Sequence, residues 1–463
     1  MPASSGRKPA ASCLWAANRS APTSFDAIVV GAGPAGTSAA LGLARKGARV
    51  ALLERGEYAG AKNMFGGMMA YSPVPEFLVP GFWEQAPWER AVTKRSLSVV
   101  TGGSTTSLTF QAASGSDRPA VGAGSTSDRS LTGFTLYRPL FDRWYADQAV
   151  ARGVTLLTGC RADGIVKTHG EVRGVRVNGG DDLIEAPLVI AADGTLSLLA
   201  KGAGLHGGFK SEHLALGVRA LFLLSEDEIN SRFGLSGREG ATQEFLGCTE
   251  GVRGGGFIYT QTDAISVGLV VHLDSLKEKG IAPYDLLERI IATPPAAPFL
   301  RGATLVEYSA HLLPEAGLHM VPRLSDDGLL VVGDAAGLCY TNGLIQEGMN
   351  LAMTSGLAAA EVANAALAEG NVSGGRLGEY RKQLQRSFVL RDLHTYGRAI
   401  GFMKTDRLFT TYPTIVGRLM EDLYRSDGKP KIRIARLARQ AAKGHISLRR
   451  LAGDGWRGGR GYL

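Results

Sequence analysis

The residues Gly31-Ala32-Gly33-Pro34-Ala35-Gly36 sit between an apolar run, Phe25–Val30, and an Ala/Leu-rich stretch, Thr37–Lys46. Three glycines at this spacing do their chemistry through the backbone. Gly31 permits a tight turn, Gly33 lets the main chain approach a pyrophosphate, and Gly36 lets a helix pack close to a strand. The free N–H groups and the positive end of that helix then face the phosphates. A second apolar run, Arg49–Leu53, ends at Glu54, about 20 residues on, where a carboxylate accepts hydrogen bonds from ribose hydroxyls. A carboxylate there disfavours a 2′-phosphate, which argues against NADP. Arg55 follows directly.

Two later segments carry a second kind of chemistry. Pro187-Leu-Val-Ile-Ala-Ala-Asp193-Gly194 is an apolar run ending in Asp-Gly. Gly328-Leu-Leu-Val-Val-Gly333-Asp334-Ala-Ala-Gly337 is another, ending in Gly-Asp. It continues through Leu338–Asn342 and Gly343-Leu-Ile345-Gln-Glu-Gly348 into a long Ala-rich helix reaching about Leu367. Between the two lies Tyr137-Arg138-Pro-Leu-Phe141-Asp142-Arg-Trp144, which opens a helix. The elements that must hold these residues follow the pattern strand, glycine turn, helix, strand. Further buried strands end at Asp193 and Asp334, which is the plan of a parallel α/β sheet.

The chain has 463 residues, enough for two to three domains at roughly 150 residues each. It is 44% hydrophobic and 20% charged, which excludes a disordered chain, a coiled coil and a disulfide mini-protein. No apolar run near the roughly 18 residues of a spanning helix stands out. The four cysteines, Cys13, Cys160, Cys248 and Cys339, lack the short spacing of a zinc or iron–sulfur site. The net charge of +8 is uneven: from Arg376 onward there are 20 Lys/Arg and 7 Asp/Glu, so the first 375 residues carry −5. A basic tail on a mildly acidic body suits an anionic surface or an acidic protein.

The Asp-Gly and Gly-Asp segments and the Arg…Phe-Asp element resemble the p-hydroxybenzoate-hydroxylase-like flavoproteins. That resemblance implies FAD, with Asp334 on its ribityl chain, Arg138 near the cofactor and the Asn342–Ile345 backbone near the flavin ring. The positive end of the long helix would stabilise negative charge on the reduced flavin and raise its potential. Two stretches narrow the likeness: Glu54-Arg-Gly-Glu-Tyr-Ala-Gly60-Ala-Lys62-Asn63-Met-Phe-Gly66-Gly67 and Thr341-Asn342-Gly343-Leu-Ile-Gln-Glu347-Gly348-Met-Asn350. Both are similar to the electron-transfer-flavoprotein:quinone oxidoreductases, above all their shorter FixC branch, over Phe25 to about Tyr424. The resemblance implies electrons arriving from an electron transfer flavoprotein and leaving to quinone or to a ferredoxin-like iron–sulfur partner. The longer members hold a [4Fe–4S] cluster near the C-terminus, but this sequence has no Cys after Cys339. That agrees with a cluster carried on a separate chain.

The expected fold is α/β: a Rossmann-type FAD-binding domain (25–60, 138–204 and 326–370) with an inserted antiparallel-sheet substrate domain (61–137 and 205–325). A helical, basic C-terminal region follows at 371–445, with helices over Leu377–Leu393, Ile415–Tyr424 and Lys431–Lys443. Residues 1–24 and 446–463 read as a disordered extension and a Gly-rich disordered tail. Thr101–Thr135, with 20 Gly/Ser/Thr in 35 residues, reads as a flexible loop over the sheet. β-rich runs fall at Ala215–Leu224, Gly256–Thr262 and Ile265–Leu273. His272 and His311 read as structural strand residues, and Cys339 as a small buried hydrophobe. Gly251-Val-Arg-Gly-Gly-Gly256 precedes a strand rather than a helix, so no second nucleotide motif is present.

Cofactor residues are therefore expected at Gly31, Ala32, Gly33, Pro34, Ala35, Gly36, Glu54, Arg55, Asn63, Arg138, Asp193, Gly194, Gly333, Asp334, Asn342, Gly343 and Ile345. No catalytic side chain, metal or nucleic-acid partner is expected. The reading that stands second is a geranylgeranyl-reductase-like enzyme saturating prenyl double bonds; a non-catalytic flavin scaffold subunit is the third. The lack of an export signal predicts a cytoplasmic protein, with peripheral attachment to the inner face of the membrane through the basic tail.

Overall fold

The computed structural model describes residues 24–63, 66–112, 133–180, 182–343 and 345–462. The chain threads two sheets by leaving one and returning twice. Strand β1 (Ala27–Val30) leads into helix α1 (Pro34–Ala44) and β2 (Val50–Leu53). A first excursion makes β3 (Gly66–Ala70), β4 (Trp88–Val100), β5 (Thr105–Gln111) and β6 (Gly133–Tyr137). The chain returns through helix α2 (Arg138–Val150) and β7 (Thr155–Leu157). A small antiparallel sheet follows, β8 (Ala162–Thr168), β9 (Glu171–Val177) and β10 (Leu183–Glu185), and then β11 (Val189–Ala191). The second excursion supplies β12 (Leu214–Leu223), β13 (Glu239–Leu246), β14 (Gly254–Thr260), β15 (Ala264–His272) and β16 (Thr304–Pro314). The last return gives β17 (Ser325–Asp326), β18 (Leu329–Val331), the hairpin β19 (Tyr340–Thr341) and β20 (Gln346–Glu347), and helix α3 (Met349–Ala368).

The first sheet runs β17-β18-β11-β1-β2-β7 and is parallel except for β17. Strands β1, β2, β11 and β18 are buried at every position. Apolar side chains on both faces are what a parallel strand covered by helices requires. The second sheet runs β16-β12-β15-β14-β13-β4-β6-β3, with β5 on β4; its pairs are antiparallel except β13 with β4. An aromatic cluster joins the two halves: Phe82 lies edge-on to Trp83, Trp88, Phe141 and Trp144, linking the first excursion to α2.

Helices α1 and α3 pack at backbone distance. A Cβ on Gly42 would lie 2.6 Å from Ala360 Cβ, and one on Gly356 would lie 2.2 Å from the Ala35 carbonyl oxygen. Small residues thus fix how closely α3 approaches, and with it where its N-terminus points. By length and composition α3 is apolar enough to cross a membrane, contrary to the expectation that no such run exists. Most of it is buried, with Leu351, Met353, Ala359, Ala360 and Ala363 in the core.

Two expectations are corrected. Thr105–Gln111 is a strand, not loop; Ser96 and Ser98 of β4 meet Thr109 and Ser107 hydroxyl to hydroxyl at 2.9 and 2.8 Å. Threonine-rich sequence suits a half-exposed pleat as well as a loop, and the pairing partner decides. The rest of the predicted loop, 113–132, and the extension 1–23 lie outside the described residues. The tail expected to be disordered is a helix. After α4 (Glu379–Arg386), α5 (Phe388–Thr395), α6 (Gly397–Met403), α7 (Thr411–Tyr424) and α8 (Ile434–Ala442), helix α9 spans Leu448–Tyr462. Its glycines serve close packing: a Cβ on Gly461 would sit 3.2 Å from Ala399 Cα, and one on Gly458 would sit 3.2 Å from the Phe402 ring, both in α6. Buried Asp454 anchors it, accepting from Arg407 Nε and Nη2 at 2.7 Å and from Tyr412 Oη at 2.9 Å.

Candidate flavin and acceptor site

A single cavity of about 920 Å³ runs from the glycine turn, between the two sheets, to the hairpin before α3. At its first end the turn is built as the motif requires. Gly31 has φ +104°, and a Cβ there would lie 2.3 Å from the Ala192 carbonyl oxygen; a Cβ on Gly36 would lie 1.9 Å from the Gly31 carbonyl oxygen. Both glycines are demanded by the protein itself. Gly33 differs, because a Cβ on it would meet nothing closer than Arg138 Nη2 at 3.9 Å. Its bareness serves whatever occupies the cavity. Helix α1 begins at Pro34 with no side-chain cap and no acid in its first turn, so its positive end faces the cavity uncompensated.

Glu54 lines the same end of the cavity. It is buried, accepts from Gly56 N at 2.7 Å and Ala32 N at 3.2 Å, and burial pushes its carboxyl up. In the middle, Arg138 grips Asp142 with two bonds of 2.8 and 2.9 Å, and the Asn63 amide lies against the same guanidinium, its oxygen accepting at 3.0 Å when the amide is turned to satisfy both groups. Burial of Asp142, at 2% exposure, is thereby matched by a paired cation. Asp193 orders the next turn, accepting from Leu199 N at 3.0 Å through Oδ2, while its buried Oδ1 has no partner among the described residues. Asp334 lies beyond, facing Thr195, His311 and Arg138; burial pushes its carboxyl up, and His311 and Arg138 oppose this. His311 is pushed down by burial, and Asp334 opposes it. Gly333 sits behind this wall, its N–H donating to Ser355 Oγ of α3 at 3.0 Å.

Of the expected site residues, thirteen line the cavity: Gly31, Gly33, Pro34, Ala35, Glu54, Arg55, Asn63, Arg138, Asp193, Gly194, Asp334, Gly343 and Ile345. Ala32, Gly36, Gly333 and Asn342 do not. Gly36 and Gly333 shape the packing beneath it. Asn342 turns away: its Oδ1 accepts from Ile345 N at 2.8 Å and its carbonyl from Tyr462 Oη of α9 at 2.7 Å. Cys339 is buried and its thiol is pushed well up by burial, which suits a packed hydrophobe rather than a reactive thiolate.

Sequence reasoning missed the opposite wall. His311, treated as structural, lines the cavity, as do Arg95, Leu97, Glu244, Phe257 and Tyr259 of the second sheet. They come from β4, β13, β14 and β16, and no local spacing links them. Register does: Glu244 pairs with Leu97 and Phe257, and Thr242 with Arg95 and Tyr259, so these side chains share one face. Thr195 Oγ1 donates to the Leu312 carbonyl at 2.9 Å and ties the two walls together. Met403 and Phe409, from the C-terminal region, close the rim.

The residues fit a dinucleotide: an uncapped helix end, a glycine reserved for a ligand, an unpartnered buried carboxylate oxygen and a long cleft. Residues 26–213 match the family described as FAD dependent oxidoreductase. Residues 216–313 match "ETF-QO, ubiquinone-binding", and residues 399–463 match the ETF-QO/FixC family C-terminal domain. Protein FixC of Salmonella typhi is 40% identical over 437 residues, covering 94% of this chain and 98% of that protein. The chain belongs to the ETF-QO/FixC family. It is an FAD-dependent oxidoreductase. Another relative, the probable electron transfer flavoprotein-quinone oxidoreductase YdiS of Escherichia coli K12, is 39% identical with coverage of 94% and 98%. Among solved structures, a geranylgeranyl bacteriochlorophyll reductase-like protein from Thermoplasma acidophilum superimposes with a TM-score of 0.67 over 93% of this chain and 99% of its own. At 19% identity that likeness is one of fold. The FixC/ETF-QO matches are more informative here, because the identity is about 40% over nearly the whole chain and residues 399–463 match that family's own C-terminal domain.

Proposed function

We propose that the protein passes electrons from a reduced electron transfer flavoprotein, through its FAD, to a membrane quinone. The observation that carries this reading is the pairing of two walls: the segment similar to ubiquinone-binding domains forms the far side of the cavity that the FAD-binding segment opens. In this reading the N–H groups at the start of α1 and Gly33 hold the pyrophosphate, and Glu54 and Arg55 the adenosine ribose end. Asp334 holds the ribityl chain, and Arg138, buttressed by Asp142 and Asn63, lies beside the flavin. Asp193 and Gly194 shape the turn next to it, and Gly343 and Ile345 flank the ring. Bound FAD supplies the two-electron chemistry; the side chains bind it, orient it and exclude water. The start of α3 has neither side-chain cap nor first-turn acid, so it favours negative charge on the cofactor.

The C-terminal helices supply the contact with an anionic membrane surface in this reading. Lys431, Arg433, Arg436 and Arg439 are exposed beside exposed Ile432 and Ile434, and Leu448 and Trp456 of α9 are exposed nearby in sequence. The lack of cysteine after Cys339 supports an iron–sulfur partner on another chain as an alternative exit for the electrons. The test is anaerobic. The oxidised holoprotein is mixed with reduced electron transfer flavoprotein from the same cell, and then with a soluble ubiquinone. Flavin bleaching followed by quinone-driven recovery, with no bleaching by NADPH, is expected. No electron exchange, together with reduction of a prenyl substrate, would overturn it in favour of the reductase reading.

A further inference from the structure

Reducing a quinone to a quinol moves two electrons and two protons, and each C=O becomes C–O–H. Reduced FAD in its singly anionic form gives up two electrons and one proton. A second proton must come from elsewhere in the cavity.

The second-sheet wall holds one group suited to this. Glu244 of β13 lines the cavity, flanked on its two neighbouring strands by the apolar Leu97 and Phe257. The charged and titratable groups that face it are Arg95 from β4 and Tyr259 from β14. Arg95 lines the same cavity and lies within electrostatic reach of Glu347, in the hairpin that precedes α3. Burial raises the Glu244 carboxyl to about 7 although Arg95 opposes this, so near neutral pH it holds a proton it can release.

Resting on the quinone reading above, we propose that Glu244 is the proton donor to the quinone, with Arg95 beside it to stabilise the carboxylate left behind. Quinone, singly anionic reduced FAD and the protonated Glu244 become quinol, oxidised FAD and the Glu244 carboxylate. One quinone oxygen takes the flavin proton and the other the Glu244 proton. Glu244 then regains its proton from water entering the cavity mouth. Tyr259 is not the donor, because burial pushes its hydroxyl far above the physiological range.

The test compares two acceptors on the reduced holoprotein of wild type, Glu244→Gln and Glu244→Asp. Soluble ubiquinone takes electrons and protons; ferricenium takes electrons alone. Glu244→Gln is expected to slow reoxidation by ubiquinone about 100-fold while the ferricenium rate changes less than about 2-fold. In wild type the quinone rate should fall as pH rises through about 7, since the protonated carboxyl is the donor, and Glu244→Gln should lose that fall. Infrared difference spectra of the protein without turnover provide a second readout. The C=O stretch of a protonated carboxyl should disappear as pH rises through about 7 in wild type, shift in Glu244→Asp and be missing in Glu244→Gln. Equal slowing with both acceptors, or an unchanged quinone rate and pH profile in Glu244→Gln, overturns the proposal and leaves the quinone reading standing. A wild-type protein that reduces ferricenium but no quinone overturns both.

Discussion

The two walls of the cavity are made from different materials. The parallel-sheet wall is largely backbone: a glycine turn, two uncapped helix ends and turns closed by Asp193 and Asp334. The antiparallel-sheet wall is largely side chain: Arg95, Glu244, Tyr259 and His311, each on a different strand. A backbone wall recognises what every dinucleotide has, phosphates and ribose. In the proposed reading, the side-chain wall is where acceptor chemistry is tuned. The difference teaches that the constant part of the reaction is encoded in contiguous sequence, and the variable part in strand register.

The largest expected effect breaks the backbone wall. Gly33→Val should fold and lose its FAD, because the added side chain points into the cavity and its Cβ meets no protein atom nearer than 3.9 Å. Gly36→Val should fail to fold, since its Cβ would fall 1.9 Å from the Gly31 carbonyl oxygen. Flavin content and circular dichroism, measured together, separate the two outcomes. A Gly33→Val protein with full flavin occupancy would dismiss the assignment of this wall. A smaller effect follows from Asp334→Asn. Losing the charge-assisted hydrogen bond proposed between Asp334 and the ribityl chain should weaken FAD binding by about 2 kcal/mol, roughly 30-fold, read by titrating apoprotein with FAD.

The side-chain wall can be probed through stability alone. The Glu244 carboxyl titrates near 4.5 when unfolded and at about 7 when folded. The folded state therefore holds a proton that the unfolded state has lost across that interval, and stability falls as pH rises from about 4.5 to 7, then levels off. Glu244→Gln carries no such term. Relative to wild type it should gain on the order of 2 kcal/mol between pH 5 and pH 8, a figure discounted for the water in the cavity. Urea unfolding at the two pH values reads it, and a parallel response of both proteins would mean that the wall carries no raised carboxyl.

How much was legible follows the same division. Phe25–Gly36, Glu54, Asp193 and Asp334 announce themselves because each role is set by neighbours in sequence: an apolar strand, then a turn, then a helix. Arg138 is placed near the cofactor by the resemblance alone, and its pairing with Asp142, one helical turn on, emerges only from the structure. Glu244 and Arg95 are not, since nothing in their own segments says that β13 will lie parallel to β4 and place Leu97 opposite Glu244. The tail failed differently. Gly453–Gly461 reads as disorder by composition, whereas Gly458 and Gly461 are small so that α9 can lie against Phe402 and Ala399. The same residue type signals freedom or close approach, and only the partner tells which.

That tail gives the smallest effect and a third element of the comparison, since the rim belongs to neither wall. Helix α9 is held by Arg407 on Asp454, a pair with one partner nearly buried, and Asp454 is kept below the usual carboxylate range chiefly by that bond. Through Tyr462 the helix reaches the Asn342 carbonyl, next to Gly343 at the cavity edge. Arg407→Ala should weaken the docking of α9 by about 1 kcal/mol, seen as faster amide exchange confined to Leu448–Tyr462. FAD content should stay unchanged, because the pair bonds at Arg407, Tyr412 and Asp454, away from the glycine turn and from Asp193 and Asp334. Loss of flavin in Arg407→Ala would show that the rim, and not the two walls alone, holds the cofactor in place.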